Sequence, residues 1–466
     1  MACSYSLHTY LFRNKIVFIL YAPIHVIKNC RRGEIHFINN CRRGEKKHTS
    51  KMKVRISKGE EVEEQPLSPM ARVFQSPEVD YCAVTIMGFK TKFCLDVLLD
   101  ALKHNVSKHP RFSTKLSEDG AKWIETQVNV EDHVTVPNID PEEIGEDGQS
   151  FVDDYISRLT TIPLDRSRPL WDMHILNVKT SDAEAVGVIR SHHSLGDGMS
   201  LISLMLACTH KTSDPDNTAI PSLKRRQTVP HGLIKQSWFL RFIFNVGSTT
   251  RLIWNTVVDM LLLLATILFL EDTKTPLKGG ADVRRNPTRF YRRTISLDDI
   301  KLIKNSMNMT INDVLLGVTQ AALSRYLNRL YGKKNEEEGV LTSNQNHLPS
   351  KLRFRAGCTV NLRSDIGFKA AAAIFNRPVV NLTTCVSNVI GPMEEISFRG
   401  HPIAYIAPSN YGQSQALLVH YMSYAGKMII SMAVDPTVIP DPHKICDDME
   451  ESLKDMKAAL SERGLL

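Results

Sequence analysis

The string with the most evident chemistry in this 466-residue sequence is His192-His193-Ser194-Leu195-Gly196-Asp197-Gly198. An imidazole of ordinary pKa, near 6.5, can take a proton at neutral pH from an alcohol or amine as that group attacks an acyl carbonyl. General-base catalysis of this kind contributes about 10²–10⁴ in rate. His193 is the expected base. Asp197 is expected to hold the turn through an internal ion pair, with Gly196 and Gly198 allowing a tight backbone. Other readings compete. The histidines could be structural. A His/His/Asp metal site lacks any further His, Cys or carboxylate cluster of ligand spacing to complete it. Ser194 as a nucleophile lacks the Gly-x-Ser-x-Gly elbow.

Such a string needs rigid elements on both sides. Ala185 to Ser191 reads as a strand running into the histidines, and Met199 to Cys208 as the helix that follows. Trp171 to Val178 is a second strand. Phe93, Leu95, Leu98, Leu99, Leu102 and Val106 recur at helical spacing and stop before Pro110, and a hairpin is expected around Asp119-Gly120. Further helices are expected from about Phe151 to Leu159, from Ile311 to about Leu330 after a Thr310 cap, and across Ile445 to Leu460. Strands are expected near Phe290–Ile295, Gly357–Leu362, Val379–Val386, Ala416–Tyr421 and Met428–Val434. The mixture predicts an α/β (α+β) fold. Its expected divisions are an extension over 1–60, a first domain over 61–208, a linker over 209–287 and a second domain over 288–466.

Charge excludes one class of partner. The chain carries 58 Lys+Arg and 50 Asp+Glu, a net +8, but the excess lies in residues 1–58. Beyond Lys58 the body is slightly acidic, so nucleic acid is not an expected partner. The extension repeats Cys30-Arg31-Arg32-Gly33-Glu34 as Cys41-Arg42-Arg43-Gly44-Glu45 and has little periodicity. It is expected to be disordered and outside the fold, with Met52 a candidate natural start. A cleaved signal peptide is the alternative. Nine cysteines without a CxxC pair suit a reduced intracellular protein.

Leu252 to Leu270 is the most apolar stretch, long enough as a helix, at about 28 Å, to reach across a bilayer core. A single span would separate His193 from the second domain. Asn255, Asp259 and Thr266 form one narrow polar stripe, which favours an interfacial or re-entrant helix over a spanning or a core helix.

His192-His193-x-x-x-Asp197-Gly198 resembles the active-site motif of acyl-CoA-dependent acyltransferases built like chloramphenicol acetyltransferase. With Pro169-Leu170-Trp171, Asn312-Asp313, Asn361-Leu362-Arg363 and Ser387-Asn388-Val389-Ile390-Gly391-Pro392, the chain from Pro66 onward looks like the plant form of the bifunctional wax ester synthase/diacylglycerol acyltransferase family. That resemblance implies two chloramphenicol acetyltransferase-like domains of mixed sheets flanked by helices, with His193 facing a tunnel between them. Acyl-CoA would enter from one side and a long-chain fatty alcohol or diacylglycerol from the other. No metal, cofactor or covalent acyl-enzyme is implied. Asp197 would be structural, as would Arg363 in a buried ion pair. Asn312 and Asp313 would shape the site from the second domain, beside Ser387 and Asn388, unless Asp313 is an ordinary helix-start acid. Trp171 has an equal reading as a core anchor. The implied location is the endoplasmic reticulum membrane, with the plasma membrane second.

One departure stands out. Between Arg363 and Val379 the family has further helices and strands, whereas Ser364 to Pro378 offers one short Ala-rich stretch. A deletion near 366–368 is expected, shortening the second domain. That shortening motivates one alternative, a catalytically impaired binding protein; a second is an acyltransferase for a soluble alcohol or amine, against which the apolar stretch argues.

Overall fold

A computed structural model describes the strand 16–21, residues 64–75, 80–106, 110–145, 147–218, parts of 247–270, and residues 271–337, 346–349, 352–359 and 382–466. The first half supplies β2 (Glu64–Pro66), α1 (Pro69–Phe74), β3 (Cys82–Phe89), α2 (Leu95–Val106), β4 (Thr114–Leu116) and β5 (Lys122–Glu125). After these come β6 (Val134–Thr135), α3 (Gly148–Leu159), β7 (Trp171–Leu176), β8 (Ala185–His192), α4 (Gly198–Leu206), β9 (His210–Lys211) and β10 (Asp214–Thr218). The second half supplies β11 (Arg289–Ser296), α5 (Leu297–Ser306), α6 (Ile311–Glu337), β12 (Phe354–Thr359), β13 (Thr384–Ile390) and β14 (Ile396–Phe398). It ends with β15 (His401–Tyr411), β16 (Leu417–Tyr424), β17 (Lys427–Val434) and α7 (Pro442–Glu462). With β1 (Ile16–Tyr21) these make two large mixed sheets and a small one of order β2-β5-β4, flanked by helices, the expected α/β (α+β) architecture.

The first sheet runs β10-β9-β14-β15-β3-β8-β7-β6 and the second β1-β12-β13-β16-β17-β11. Two strands of the second half, β14 and β15, therefore belong to the first sheet, so strand pairing crosses the division expected at residue 288. The next hairpin strand, β16, lies in the second sheet. Gly412 makes this crossing with φ +83°, and a Cβ there would meet the Asp80 carbonyl at 2.3 Å, so the position demands glycine. The hairpin turns Arg399-Gly400 and Ala425-Gly426 carry positive φ at both residues, the twist that two-residue β-hairpins favour.

The extension is not wholly outside the fold, contrary to expectation. Ile16–Tyr21, a run of β-branched, aromatic and leucine side chains, pairs in parallel with Phe354–Thr359. The strand expected at 357–362 is observed at Phe354–Thr359, and the one expected from Val379 begins, among the described residues, at Thr384.

Helix starts follow their caps. Ser68 Oγ accepts from Ala71 N–H at 3.2 Å to start α1, and Asp147 Oδ1 accepts from Gln149 N–H at 3.0 Å to start α3. At α6, Asp313 N–H donates to Thr310 Oγ1 at 3.2 Å while Thr310 N–H donates to Asp313 Oδ2 at 2.8 Å, a reciprocal box that closes two orphan donors.

Candidate active site

Strand β8 ends at His192, and the chain turns at once into a 3₁₀ turn, His193–Leu195, that leads to α4. Backbone bonds pin that turn. His192 N–H donates to Leu170 C=O at 2.9 Å and His193 N–H to Tyr81 C=O at 2.8 Å.

The two imidazoles then take different parts. His192 is buried. Its Nδ1 accepts from Ser194 N–H at 3.2 Å and lies 2.6 Å from Ser194 Oγ, while its Nε2 donates to Asp80 Oδ1 at 3.0 Å. That hydrogen bond is the main cause holding the Asp80 carboxyl below its ordinary range. Gln75 Nε2 adds a bond to Ser194 Oγ at 2.7 Å. Asp80, His192 and Ser194 are thus linked in series, but Ser194 is buried and its hydroxyl is engaged on two sides, so the group is a brace rather than a nucleophilic relay.

His193 is only partly buried, and its ring stacks on Phe74 of α1 with centroids 4.9 Å apart. Its Nδ1–H donates to Gly196 C=O at 3.2 Å, which fixes the tautomer and leaves the Nε2 lone pair as the basic position. Desolvation, and then the neighbouring His192, hold its pKa below the ordinary 6.5. An uncharged imidazole at neutral pH with a fixed basic nitrogen is the equipment of a general base.

Asp197 corrects an expectation. It is exposed, and instead of an internal ion pair it accepts from Ser200 N–H at 2.7 Å, capping α4. Its structural role is to start a helix, because a carboxylate oxygen satisfies an orphan backbone donor there. Gly196 has φ 175°, extended backbone open to any residue, and a Cβ at Gly198 would meet open space. Neither glycine is required by conformation as the sequence suggested.

Trp171 is a core anchor. Its ring is buried, donates Nε1–H to Phe112 C=O at 3.1 Å and stacks on His133 at 4.2 Å. The motif serves the site through the preceding carbonyl, Leu170. Asn312 and Asn388 meet directly, Asn388 Nδ2 to Asn312 Oδ1 at 2.7 Å, and Asp313 completes the α6 cap. Arg363 lies outside the described residues, as do Asn361 and the expected deletion at 366–368. Among the described residues Arg355 and Asp272 form a buried ion pair, and buried Arg190 pairs with the half-buried Asp172. Among the described residues no group of three His, Cys, Asp or Glu side chains is placed to hold a metal.

One site residue escaped the sequence. His420 of β16 is buried, with Ser409 Oγ 3.3 Å from its Nδ1 and Asn410 Nδ2 3.3 Å from its Nε2. Burial, and secondarily the charge that His193 can carry, push its pKa down to about 4. It is paired in register with Ser387, so both side chains project from the face of the second sheet that looks toward the first. A lone histidine in the strand LLVHYMSY gives no spacing signal to find it by.

Comparison with known proteins bears on this geometry. The pattern of the wax ester synthase/diacylglycerol acyltransferase catalytic domain matches residues 86–315, and that of the WS/DGAT C-terminal domain matches 353–457. The chain is 67% identical over 476 aligned positions to wax ester synthase/diacylglycerol acyltransferase 7 of Arabidopsis thaliana, covering 87% of this chain and 99% of that one. It is 64% identical to wax ester synthase/diacylglycerol acyltransferase 8 of the same plant, with 87% and 98% covered. Those alignments hold more positions than 87% of this chain supplies, so the relatives carry internal residues that this chain lacks. Among solved structures, the wax ester synthase/diacylglycerol acyltransferase of Marinobacter aquaeolei VT8 shares the fold. Its TM-score is 0.53 at 18% identity, with 85% of this chain and all of that one covered.

Proposed function

The chain belongs to the wax ester synthase/diacylglycerol acyltransferase family, and from that premise we propose how its site performs acyl transfer and on what substrates. It is an O-acyltransferase. The acyl donor is acyl-CoA and the acceptor a long-chain fatty alcohol or diacylglycerol, giving a wax ester or triacylglycerol. His193 Nε2 takes the hydroxyl proton as the acceptor oxygen attacks the thioester carbonyl. The tetrahedral intermediate collapses, the C–S bond breaks, and the departing CoA thiolate takes that proton back from Nε2–H. Ester and free CoA leave with the base regenerated, so this cycle uses no covalent acyl-enzyme and no group beyond the two substrates.

The observation that carries this reading is the His193 Nδ1 bond to Gly196 C=O, because it commits the other nitrogen to proton abstraction. Its test supplies labelled acyl-CoA with hexadecanol or diacylglycerol to the full chain in a lysate. Labelled ester from either acceptor is the expected product, and a folded chain that makes neither refutes the reading.

The same reading sets the enzyme at a membrane surface, that of the endoplasmic reticulum. Its support is the stretch 253–268, helical where described, and the turn residue Phe269 after it; Trp254, Leu261, Leu268 and Phe269 are between 60% and 73% exposed. Thr266, from the polar stripe, is buried against the protein and accepts from Arg355 Nη1 at 2.7 Å. One face is thus anchored and the other presents large apolar side chains, which suits a helix lying in the interface. Among the described residues no helix is long and apolar enough to cross a membrane.

A further inference from the structure

Helix α1 reaches the catalytic turn through a ring that core packing does not account for. Leu67 and Ala71 are buried in the hydrophobic core and anchor this short helix. Phe74, at its end, is only partly buried. Its ring meets Tyr81, with centroids 5.8 Å apart and planes at 49°, and the imidazole of His193, at 4.9 Å and 25°. An aromatic side chain that stays partly in solvent and lies along a base gains less from burial than a core residue would.

Two ties hold that ring in place. Gln75 N–H donates to Ala71 C=O at 3.1 Å and closes the last turn of α1, while Gln75 Nε2 donates to Ser194 Oγ at 2.7 Å. The helix is thus fastened to the residue that follows His193. The second tie is Tyr81 C=O, which accepts the His193 N–H at 2.8 Å. Phe74 precedes the first of these residues and touches the second, so it cannot drift from the imidazole without breaking one of them.

The imidazole needs two constraints, and its hydrogen bond supplies one. The bond from Nδ1–H to Gly196 C=O, at 3.2 Å, decides which nitrogen is basic. It leaves the plane of the ring loose, because the terminal torsion of a histidine is broad and the bond is long. A flat ring stacked on the imidazole fixes the plane and is indifferent to which nitrogen is which. Together the two constraints give Nε2 a single direction. Precision of this kind matters, since a reacting group misplaced by ~1 Å costs on the order of 100-fold in rate.

We infer that Phe74 is a positioning residue for the acyl transfer: its ring sets the plane of the His193 imidazole so that Nε2 meets the acceptor hydroxyl. The inference rests on the acyl-transfer reading above and adds a residue to it. The test is initial-rate kinetics on the full chain, varying hexadecanol at fixed palmitoyl-CoA and the converse. Phe74→Leu keeps an apolar side chain but no flat face, and should lower kcat about tenfold or more while both KM values stay within about twofold. Phe74→Tyr keeps the face, and its kcat should stay within about twofold of the parent. Phe74→Met carries the leucine readout should Phe74→Leu unfold the chain, which thermal melts will reveal. In folded variants, an unchanged kcat with leucine or methionine, equal losses with tyrosine and leucine, or a change in KM alone overturns the role of Phe74 and leaves His193 as the base. Loss of fold in both Phe74→Leu and Phe74→Met makes the ring a core residue and overturns that role as well. A parent chain that esterifies neither acceptor overturns the acyl-transfer reading and the positioning role together.

Discussion

Asn388 Nδ2 donates to Asn312 Oδ1 at 2.7 Å, tying β13 to the first turn of α6. The adjacent Ser387 is paired with His420 and faces the first sheet, whereas Asn388 is paired with Tyr421, whose hydroxyl reaches Thr319 of α6 at 2.7 Å. Two neighbouring motif residues therefore serve opposite faces of one strand. Ser387 lies on the face that His420 shares, and Asn388 holds the helix that backs the strand.

The asparagine pair predicts a coupling. Asn312→Ala and Asn388→Ala should each lower stability by about 0.5–1.5 kcal/mol, the usual net value of a hydrogen bond. The double variant should lose less than the sum, because both remove one bond. Urea melts of the four proteins measure this, and strict additivity would show that the contact contributes nothing.

Replacement of His193 separates chemistry from folding. His193→Ala should reduce ester formation by two orders of magnitude or more. The melting temperature should change little, because the ring makes one long hydrogen bond and one stacking contact. Asp197→Ala should do the reverse, costing about 1 kcal/mol as a lost helix cap with a smaller fall in rate. Equal losses of fold and rate in His193→Ala would identify a structural histidine.

The pH profile follows from the direction of the His193 shift. The base works deprotonated and its pKa is lowered from 6.5, so the acid limb of kcat/KM should have its midpoint below pH 6.5. Stability has its own dependence. The His420 pKa of about 4 in the folded state lies below the unfolded value of 6.5, so the unfolded chain binds more protons between these values and stability declines as pH falls through that window. His420→Gln should flatten the decline measured by melting temperature across the same range.

The histidine string was legible because strand, turn and helix follow one another without interruption and their periodicities change at its edges. The amphipathic helices α2 and α7 were legible from their apolar spacing, and α6 from the Thr310 cap that starts it. What was not legible depends on strand neighbours far apart in sequence. Phe74, Gln75 and Asp80 reach the site because β3 lies beside β8, with Cys82 paired with His192. Strand β3 itself, CAVTIMGF, is nearly all buried and shows no polar alternation. Strand β15 contains Pro402 and Pro408, which argue against a central strand, yet it pairs with β3 along its length. Asp197 misled for a different reason, since an acid four residues past a histidine pair suits an ion pair and a helix cap equally.

The Asp272–Arg355 pair predicts the largest single loss of stability. Asp272 Oδ1 accepts from Arg355 Nε at 2.5 Å, and Oδ2 accepts from Arg355 N–H and Thr383 N–H, both at 3.0 Å. Both side chains are buried. Asp272→Asn leaves the guanidinium without its counter-charge, and breaking such a pair costs about 3–5 kcal/mol. Chemical denaturation should show that loss, and a change under 1 kcal/mol would mean the pair is reached by water.

The same pair sets up the test of membrane contact, because Arg355 also donates Nη2–H to Leu270 C=O at 2.8 Å and so anchors the end of the apolar stretch. Trp254, Leu261 and Leu268 are exposed, and leaving them in water forgoes about 1.5–3 kcal/mol for each large side chain that could be buried. Replacing all three by Gln removes that incentive without touching Thr266 or the ion pair, so the fold and the conversion of a short, water-dispersed alcohol should survive. Flotation with liposomes should then fall at least tenfold relative to the parent, and esterification of hexadecanol presented in those liposomes should fall with it. Unchanged flotation would place the membrane contact on some other surface and leave this stretch to pack against protein.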